Sequence, residues 1–76
     1  MAQFERIIHD INIMGGKPCI KGTRITVGVI LMHLGDGISI EKILREYPLL
    51  EEEDILEAIR YASWVIGTSQ EMVISA

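Results

Sequence analysis

The sequence predicts a mainly α domain, a three-helix bundle preceded by a short N-terminal β arm or hairpin. Between residues 27 and 67, apolar side chains recur at the three- and four-residue spacing of a helix in three separate stretches. Residues 1–26 instead carry short β-branched runs broken by glycine and proline, which is typical of strands and bends. The 76 residues are enough for one such domain. We therefore divide this single domain, residues 1–76, into an arm, residues 1–26, a three-helix unit, residues 27–67, and a tail, residues 68–76.

The arm is predicted to hold two or three short strands. The aromatic and β-branched run Phe4–Ile8 favours a strand, paired either within this chain or with a second copy. Further along, the sequence GGKPCIKGTRITV spans residues 15–27. Its paired glycines favour a bend, and its proline keeps the preceding residue extended. Two more short strands, Cys19–Lys21 and Arg24–Thr26, are predicted on either side of a bend at Gly22.

Helix 1 is predicted to begin after Thr26, because a threonine at the N-cap accepts a hydrogen bond from a backbone N–H of the first turn. It is expected to end at Gly35, which suits the left-handed residue that follows many helices. Helix 2 begins after Ser39 in the same way and is stopped by Pro48. Helices 2 and 3, joined through this proline turn, have helix-turn-helix spacing. The apolar faces are Val27, Ile30, Leu31 and Leu34 in helix 1, and Ile40, Ile43, Leu44 and Tyr47 in helix 2.

Helix 3 is predicted to run from residue 51 or 52 to about residue 66, with Gly67 ending it. Its first turn holds four consecutive acids, where the helix dipole favours negative charge. The tail carries apolar residues such as Val73 and is either frayed or docked on a partner. The expected buried stripe of helix 3 is Ile55, Ile59, Ala62 and Ile66.

Apolar residues outnumber the buried positions that one small domain offers. They make up 49% of the sequence, whereas a chain near this size buries only about 60% of its unfolded surface. The surplus should meet a partner, most simply a second copy of the chain in a homodimer. For the aromatic and apolar residues near the end of helix 3, core packing and a partner surface both remain open. The candidate interface residues are Phe4, Ile7, Tyr61, Trp64, Val65 and Val73.

Charge divides the chain into a basic front and an acidic back. Residues 1–26 carry four Lys and Arg against two Asp and Glu, and residues 27–76 carry three against nine. The candidate nucleic-acid contacts are therefore Lys17, Lys21 and Arg24 in the arm. The acids that open helix 3 would repel phosphates, so this helix is not expected to read a DNA groove. Arg24 also has a structural interpretation, in which its planar guanidinium clamps a carboxylate or backbone carbonyls.

The sequence offers no catalytic, metal-binding or cofactor signature. Cys19 is predicted to be a small buried apolar side chain without a His partner for nucleophilic chemistry. Cys19, His9 and His33 are too few and too scattered for a zinc site, and His33 is expected on a helix surface or interface. No apolar run is long enough to span a membrane, and no signal-peptide pattern is present. We therefore expect a cytoplasmic binding protein rather than an enzyme.

Three segments of the sequence carry a family resemblance: GGKPCIKGTRITV, then IEKILREYP, then LLEEEDILEAIRYA. Together they resemble the family called domain of unknown function 433, over residues 4–64 or so. The glycine-rich run is the part specific to this family. The two later segments are ordinary helices that agree with the family in order and spacing. The resemblance implies a homeodomain-like, helix-turn-helix domain that follows a β arm. It also implies a VapB-type antitoxin role beside a PIN-like toxin ribonuclease, with binding to operator DNA.

These observations lead to one hypothesis and one alternative. The leading hypothesis is an antitoxin-like homodimer that binds a PIN-like ribonuclease through its apolar, acidic C-terminal half and touches operator DNA through its basic arm. The alternative is a protein-interaction or dimerisation module without nucleic-acid binding. Binding of the dimer to operator DNA, alone or with its partner, distinguishes the two.

Overall fold

Two short strands precede three helices in the computed structural model, which describes residues 3–70 and the side chains of residues 3–68. This arrangement confirms the predicted fold class. The interface prediction for Val73 lies outside the described residues. In chain order the elements are β1 (Ile7–Ile8), a 3-10 helix (Met14–Gly16), β2 (Cys19–Ile20), α1 (Val27–Gly35), α2 (Ile40–Glu46) and α3 (Glu52–Gln70).

The two strands of the arm pair with each other, antiparallel and within the chain. Ile7 lies opposite Ile20, and Ile8 lies opposite Cys19. The predicted strand over residues 4–8 is therefore too long, because residues 5 and 6 form a turn. The predicted strand over residues 24–26 shortens to one bridge between Thr26 and Cys19. Further backbone hydrogen bonds from this segment, including Val27 N to Pro18 O at 2.9 Å, join the arm to the start of α1.

Both predicted N-caps are confirmed. Thr26 Oγ1 accepts a hydrogen bond from the Val29 N–H at 3.0 Å, and Ser39 Oγ accepts one from the Lys42 N–H at 3.1 Å. Each bond satisfies a backbone donor that has no partner inside its helix, which contributes about 1 kcal/mol per cap. These two residues therefore fix where α1 and α2 begin.

The end of α1 differs from the prediction by two residues. Gly35 is the last helical residue, and Gly37 takes the left-handed conformation, with φ +84°. The Ile38 N–H donates to His33 O at 3.0 Å and the Gly37 N–H donates to Leu34 O at 3.0 Å. This is the Schellman pattern, in which the left-handed residue follows the C-cap. The prediction chose the wrong member of the Gly35-Asp36-Gly37 turn because both glycines can adopt positive φ.

Helix α3 is longer than predicted and does not end at Gly67. It continues to Gln70, and Gly67 is absent from the positive-φ glycines of the described chain. A glycine inside a helix costs about 1 kcal/mol relative to alanine but keeps its N–H, so unlike proline it does not force an end. The predicted buried stripe also stops early, because Ile66 is 58% exposed whereas Ile55 is fully buried.

The core lies where the three helices meet the two strands. The apolar faces predicted for α1 and α2 are confirmed, since Ile30 and Ile43 are fully buried and the other members are buried or packed against them. Cys19 is also buried, as predicted. Within residues 3–70, none of the helices combines the length and the apolar content that a membrane span requires. The buried core cluster consists of Ile7, Ile20, Val27, Ile30, Ile43, Leu50, Ile55 and Ala58.

Candidate interaction surfaces

Arg6 anchors the arm to the start of α3, a role that the sequence pattern did not indicate. Its Nη1 donates to Glu51 Oε1 at 3.0 Å and to Asp54 Oδ1 at 2.9 Å. Its backbone N–H donates to Glu57 Oε2 at 2.7 Å. The hydrogen bonds to Glu51 and Asp54 raise the pKa of the Arg6 guanidinium, which therefore stays charged. One arginine thus holds the arm against three acids of the helix.

The acidic start of α3 is largely neutralised by partners within the chain. Asp54 also accepts the Glu51 N–H at 2.8 Å, which is half of a capping box at the helix start. Arg60 Nη2 lies 3.0 Å from Glu53 Oε2 and 3.9 Å from Glu57 Oε1. Among the acids of residues 51–54, Glu52 has no side-chain hydrogen bond or ion pair within the described chain. The surface at this point is therefore less negative than its composition suggests.

Three aromatic residues predicted for an interface lie together on one side of α3. Phe4 packs edge-to-face on Tyr61, with ring centroids 5.3 Å apart, and lies 5.7 Å from Trp64. His9 Nε2 and Tyr61 Oη form a 2.9 Å hydrogen bond, which adds a second contact between arm and helix. Trp64 remains 45% exposed at the edge of this cluster. The arm therefore covers part of the aromatic surface and leaves the indole accessible.

The interface prediction for Ile7 is wrong. Its side chain is only 8% exposed and belongs to the core cluster, opposite Ile20 in the strand pair. A side chain buried in the core of its own chain offers almost no surface to a partner. Val65, also predicted for an interface, is half-buried on α3.

The C-terminal part of α3 exposes apolar side chains on two opposite sides. Trp64 is 45% exposed and Ile66 is 58% exposed. Two residues apart on a helix corresponds to about 200° of rotation, so these side chains point away from each other. The segment 61–67, YASWVIG, carries no charge. An uncharged helix end with large apolar side chains exposed on two sides has the character of a contact surface.

The three candidate nucleic-acid residues are exposed but do not line a common cleft. Within residues 3–70, none of Lys17, Lys21 and Arg24 forms a side-chain hydrogen bond or an ion pair. Lys17 borders a cleft of about 370 Å³ beside Met32, whereas Arg24 borders another of about 580 Å³. The structural clamp expected of Arg24 is therefore absent here, and Arg6 makes that kind of contact instead.

The cleft beside Arg24 is mainly apolar and has an exposed leucine at its rim. Leu49, in the turn between α2 and α3, is 72% exposed. The adjoining loop contributes Ile13 to the cleft and also carries Ile11, which is 75% exposed. Met14 in the same loop is the one non-glycine residue of the described chain with positive φ, at +50°. Helical or strand periodicity does not identify these residues, because they lie in turns, bends or the short 3-10 helix. The cleft is lined by Ile13, Gly22, Thr23, Arg24 and Leu49.

His33, expected on a helix surface or interface, is half-buried and joins α1 to the end of α2. Its Nε2 lies 3.0 Å from Tyr47 Oη. Within the described residues, no group of three or more His, Cys, Asp or Glu side chains is arranged to hold a metal ion. The most distinctive surface features of the described chain are the exposed apolar side chains around Leu49 and at the end of α3.

Comparison with known proteins identifies the family. A family model described as "Protein of unknown function (DUF433)" matches residues 7–62. The chain belongs to this family. The matched range contains the arm from Ile7 onward, α1, α2 and α3 as far as Ala62. In this family member Tyr61 lies inside the matched range, and Trp64 and Ile66 lie beyond it.

A curated relative extends the comparison without adding a function. The chain is 37% identical over 61 residues to a protein of Sinorhizobium fredii (strain NBRC 101917 / NGR234) named "Uncharacterized protein y4eO". The match covers 80% of this chain and 28% of that protein, so the chain corresponds to a fraction of the relative's length. No solved structure matches the chain.

Proposed function

We propose that this protein is an antitoxin-like binding module, a homodimer that captures a PIN-like ribonuclease through the C-terminal end of α3. The observation that carries the proposal is the exposure of Trp64 and Ile66 on opposite sides of an uncharged helix end. The family resemblance supplies the kind of partner, and the exposed apolar surface supplies the means of binding it. A cytoplasmic location belongs to the same proposal.

The contact with the ribonuclease is proposed to be mainly apolar rather than electrostatic. The sequence predicts a contact through an apolar and acidic C-terminal half, but Arg6 and Arg60 already pair with the acids at positions 51, 53, 54 and 57. Exposed ion pairs of this kind contribute little to affinity, whereas tryptophan is among the residues that dominate binding energy at interfaces. The exposed Trp64 indole, supported by Phe4 and Tyr61, is therefore the central contact of the proposed interface.

Co-expression with the product of the neighbouring reading frame tests this proposal. The tagged protein should co-purify with that product and inhibit its ribonuclease activity. Ile66→Glu places a charge on the proposed surface and should weaken the complex at least tenfold in a binding titration. Met32→Glu is the matched control, because Met32 is 57% exposed against 58% for Ile66 but lies on α1.

Two outcomes would contradict the proposal. Binding by Ile66→Glu that is no weaker than binding by Met32→Glu would show that the surface of α3 is not the contact. A wild-type protein that neither co-purifies with the neighbouring product nor inhibits it would remove the antitoxin role altogether.

We also propose contact with operator DNA through the arm, as a second activity of the same module. It is favoured by the exposure of Lys17, Lys21 and Arg24, none of which is neutralised by an acid within residues 3–70. The start of α3 remains unsuited to a DNA groove, because carboxylates dominate it.

A gel shift with the promoter region, at low and at moderate salt, tests the DNA contact. Replacing Lys17 and Lys21 together with alanine should weaken binding and flatten its salt dependence, because fewer phosphates are neutralised. If the wild-type dimer shows no shift, alone or with the ribonuclease, the module binds protein only, which is the alternative function.

A further inference from the structure

Within the described chain, the cleft beside Arg24 is lined by apolar groups and one cation but by no acid. We define the Leu49 face as the five cleft residues Ile13, Gly22, Thr23, Arg24 and Leu49. Leu49 is 72% exposed at the rim, and Ile13 adds a second apolar side chain. Leu49 precedes α3, whose first residue lies about 18 Å along the helix axis from Trp64, since each helical residue adds about 1.5 Å. The Leu49 face is therefore a different surface from the end of α3.

Hydrogen bonds and core packing hold both sides of the Leu49 face in place. On one side, the Thr23 hydroxyl donates to a backbone carbonyl at 2.8 Å and accepts a backbone N–H at 2.9 Å, which fixes the bend that carries Arg24. On the other side, the Leu50 N–H donates to Tyr47 O at 2.9 Å and the Leu50 side chain is buried, which leaves Leu49 facing outward. A preformed surface of this kind loses less conformational entropy on binding than a flexible one.

Arg24 provides the polar group of the Leu49 face that is left for an occupant. Its side chain is exposed and forms no hydrogen bond or ion pair within residues 3–70, whereas the Thr23 hydroxyl is already used. A guanidinium can pair with a carboxylate through two parallel hydrogen bonds. Such a pair is stronger beside apolar groups than in open water, because the local dielectric constant is lower. Charge complementarity therefore favours an occupant with a carboxylate next to an apolar group.

We propose that the Leu49 face binds a peptide segment of a partner protein, one that carries a large apolar side chain and a neighbouring Asp or Glu. The apolar side chain enters the cleft of about 580 Å³, and the carboxylate pairs with Arg24. The backbone of the segment crosses the rim and covers Leu49. This inference is independent of the antitoxin role and of the homodimer. It leaves Lys17 and Lys21 free to contact DNA, since neither lines this cleft.

Other occupants fit the Leu49 face less well. Phosphates of a nucleic acid would pair with Arg24, but bases stack on aromatic side chains and none lines this cleft, so its apolar groups would stay in water. Two copies that met through this face about a two-fold axis would bring two arginines together with no acid in either cleft. A small molecule would fill the cleft without covering the protruding Leu49. A chain segment with an apolar and an acidic side chain satisfies the cleft, the cation and the rim together.

Selection from a phage-displayed library of random seven-residue peptides, with the full chain as target, tests the proposal. Peptides enriched by the wild type should carry Asp or Glu close to a large apolar residue. Arg24→Glu should reverse the preferred charge to Lys or Arg and retain the apolar residue, because the substitution repels a carboxylate. Arg45→Glu is the matched control, since Arg45 is also exposed but lies on α2, and it should select the same acidic peptides as the wild type.

The affinity of one enriched peptide, measured by fluorescence polarisation, tests each side of the face separately. Arg24→Gln and Leu49→Ser should each weaken binding about tenfold or more while circular dichroism stays that of the wild type, because one loses the ion pair and the other the apolar contact. Arg45→Gln should leave the affinity unchanged.

Three outcomes would overturn the proposal. The first is that no peptide is enriched, and the second is that Arg24→Gln and Leu49→Ser leave peptide binding unchanged. The third is that Arg24→Glu selects the same acidic peptides as the wild type. If no peptide is enriched but Arg24→Gln weakens binding to promoter DNA, the occupant is a nucleic acid. If Arg24→Glu instead shifts a wild-type dimer towards monomer in sedimentation equilibrium, the occupant is a second copy.

Discussion

At the scale of the residue, Arg6 and Asp54 determine how the arm and α3 are joined. Asp54 is only 6% exposed and accepts hydrogen bonds from the Arg6 guanidinium and from the Glu51 N–H. The same carboxylate therefore caps α3 and binds Arg6 of the arm. Its neighbour Glu52 is exposed and makes neither contact. Two acids of one helical turn, two positions apart, thus differ in role because the arm reaches only one side of the helix.

Asp54→Ala should lower the free energy of unfolding by about 1–2 kcal/mol, because it removes a helix-capping acceptor and leaves the Arg6 guanidinium with Glu51 alone. Urea denaturation followed by circular dichroism measures the change. Glu52→Ala serves as the control and should change stability by less than about 0.5 kcal/mol, as is usual for exposed positions. Equal effects of the two substitutions would show that the Asp54 contacts contribute nothing.

At the scale of the element, Gly37 ends α1 because of its backbone conformation and not because a side chain there would clash with a neighbour. Gly37 has φ +84°, and a Cβ added there would meet no atom within 4 Å. Gly35 is also open around its Cβ position but lies in the helix with ordinary φ. Because neither position is crowded, substitutions at Gly35 and Gly37 differ only in the backbone strain that a side chain would cause.

Gly37→Ala should destabilise the protein by about 1–2 kcal/mol, since an L-residue in the left-handed region carries that cost. Gly35→Ala should stabilise it by about 0.5–1 kcal/mol, because alanine is the better helix former and no contact is disturbed. Thermal or urea unfolding of both variants checks the opposite signs. Two changes of the same sign would mean that the helix does not end as described.

At the scale of the whole molecule, the apolar content exceeds what the three-helix core covers. Among the side chains of residues 3–68, the large apolar residues left exposed are Ile11, Met14, Met32, Leu49, Trp64 and Ile66. They lie on the arm loop, on α1, in the turn before α3 and at the end of α3. A small domain with this much uncovered surface is expected to gain stability from association.

If the chain forms the proposed homodimer and unfolds as it dissociates, a hundredfold increase in protein concentration should raise Tm by roughly 5–10 °C, since mass action favours the associated state. Differential scanning calorimetry over that range measures the shift. A Tm independent of concentration would show that the dimer contributes nothing to the stability of the fold.

Local sequence patterns predicted most of the helical unit because their causes lie within a few residues. Thr26 and Ser39 cap the turns that follow them, and Ile30 and Ile43 lie on faces set by helical periodicity. The same patterns gave wrong helix ends where two local conformations differ little in free energy. Either Gly35 or Gly37 could end α1, and Gly67 could either end α3 or remain inside it. In each case the difference is about 1 kcal/mol, which is small enough for neighbouring structure to decide.

The sequence by itself determined the fold class, the helix starts and the excess of apolar side chains, because spacing, capping and composition are properties of the chain alone. Only the tertiary structure decided that Arg6 holds the arm to Asp54, 48 positions away, that Phe4 packs on Tyr61, and that Ile7 is core. It also decided which apolar residues stay exposed, namely Leu49 at a turn and Trp64 and Ile66 at a helix end. Exposure depends on which elements meet in space, and no spacing within one element encodes that.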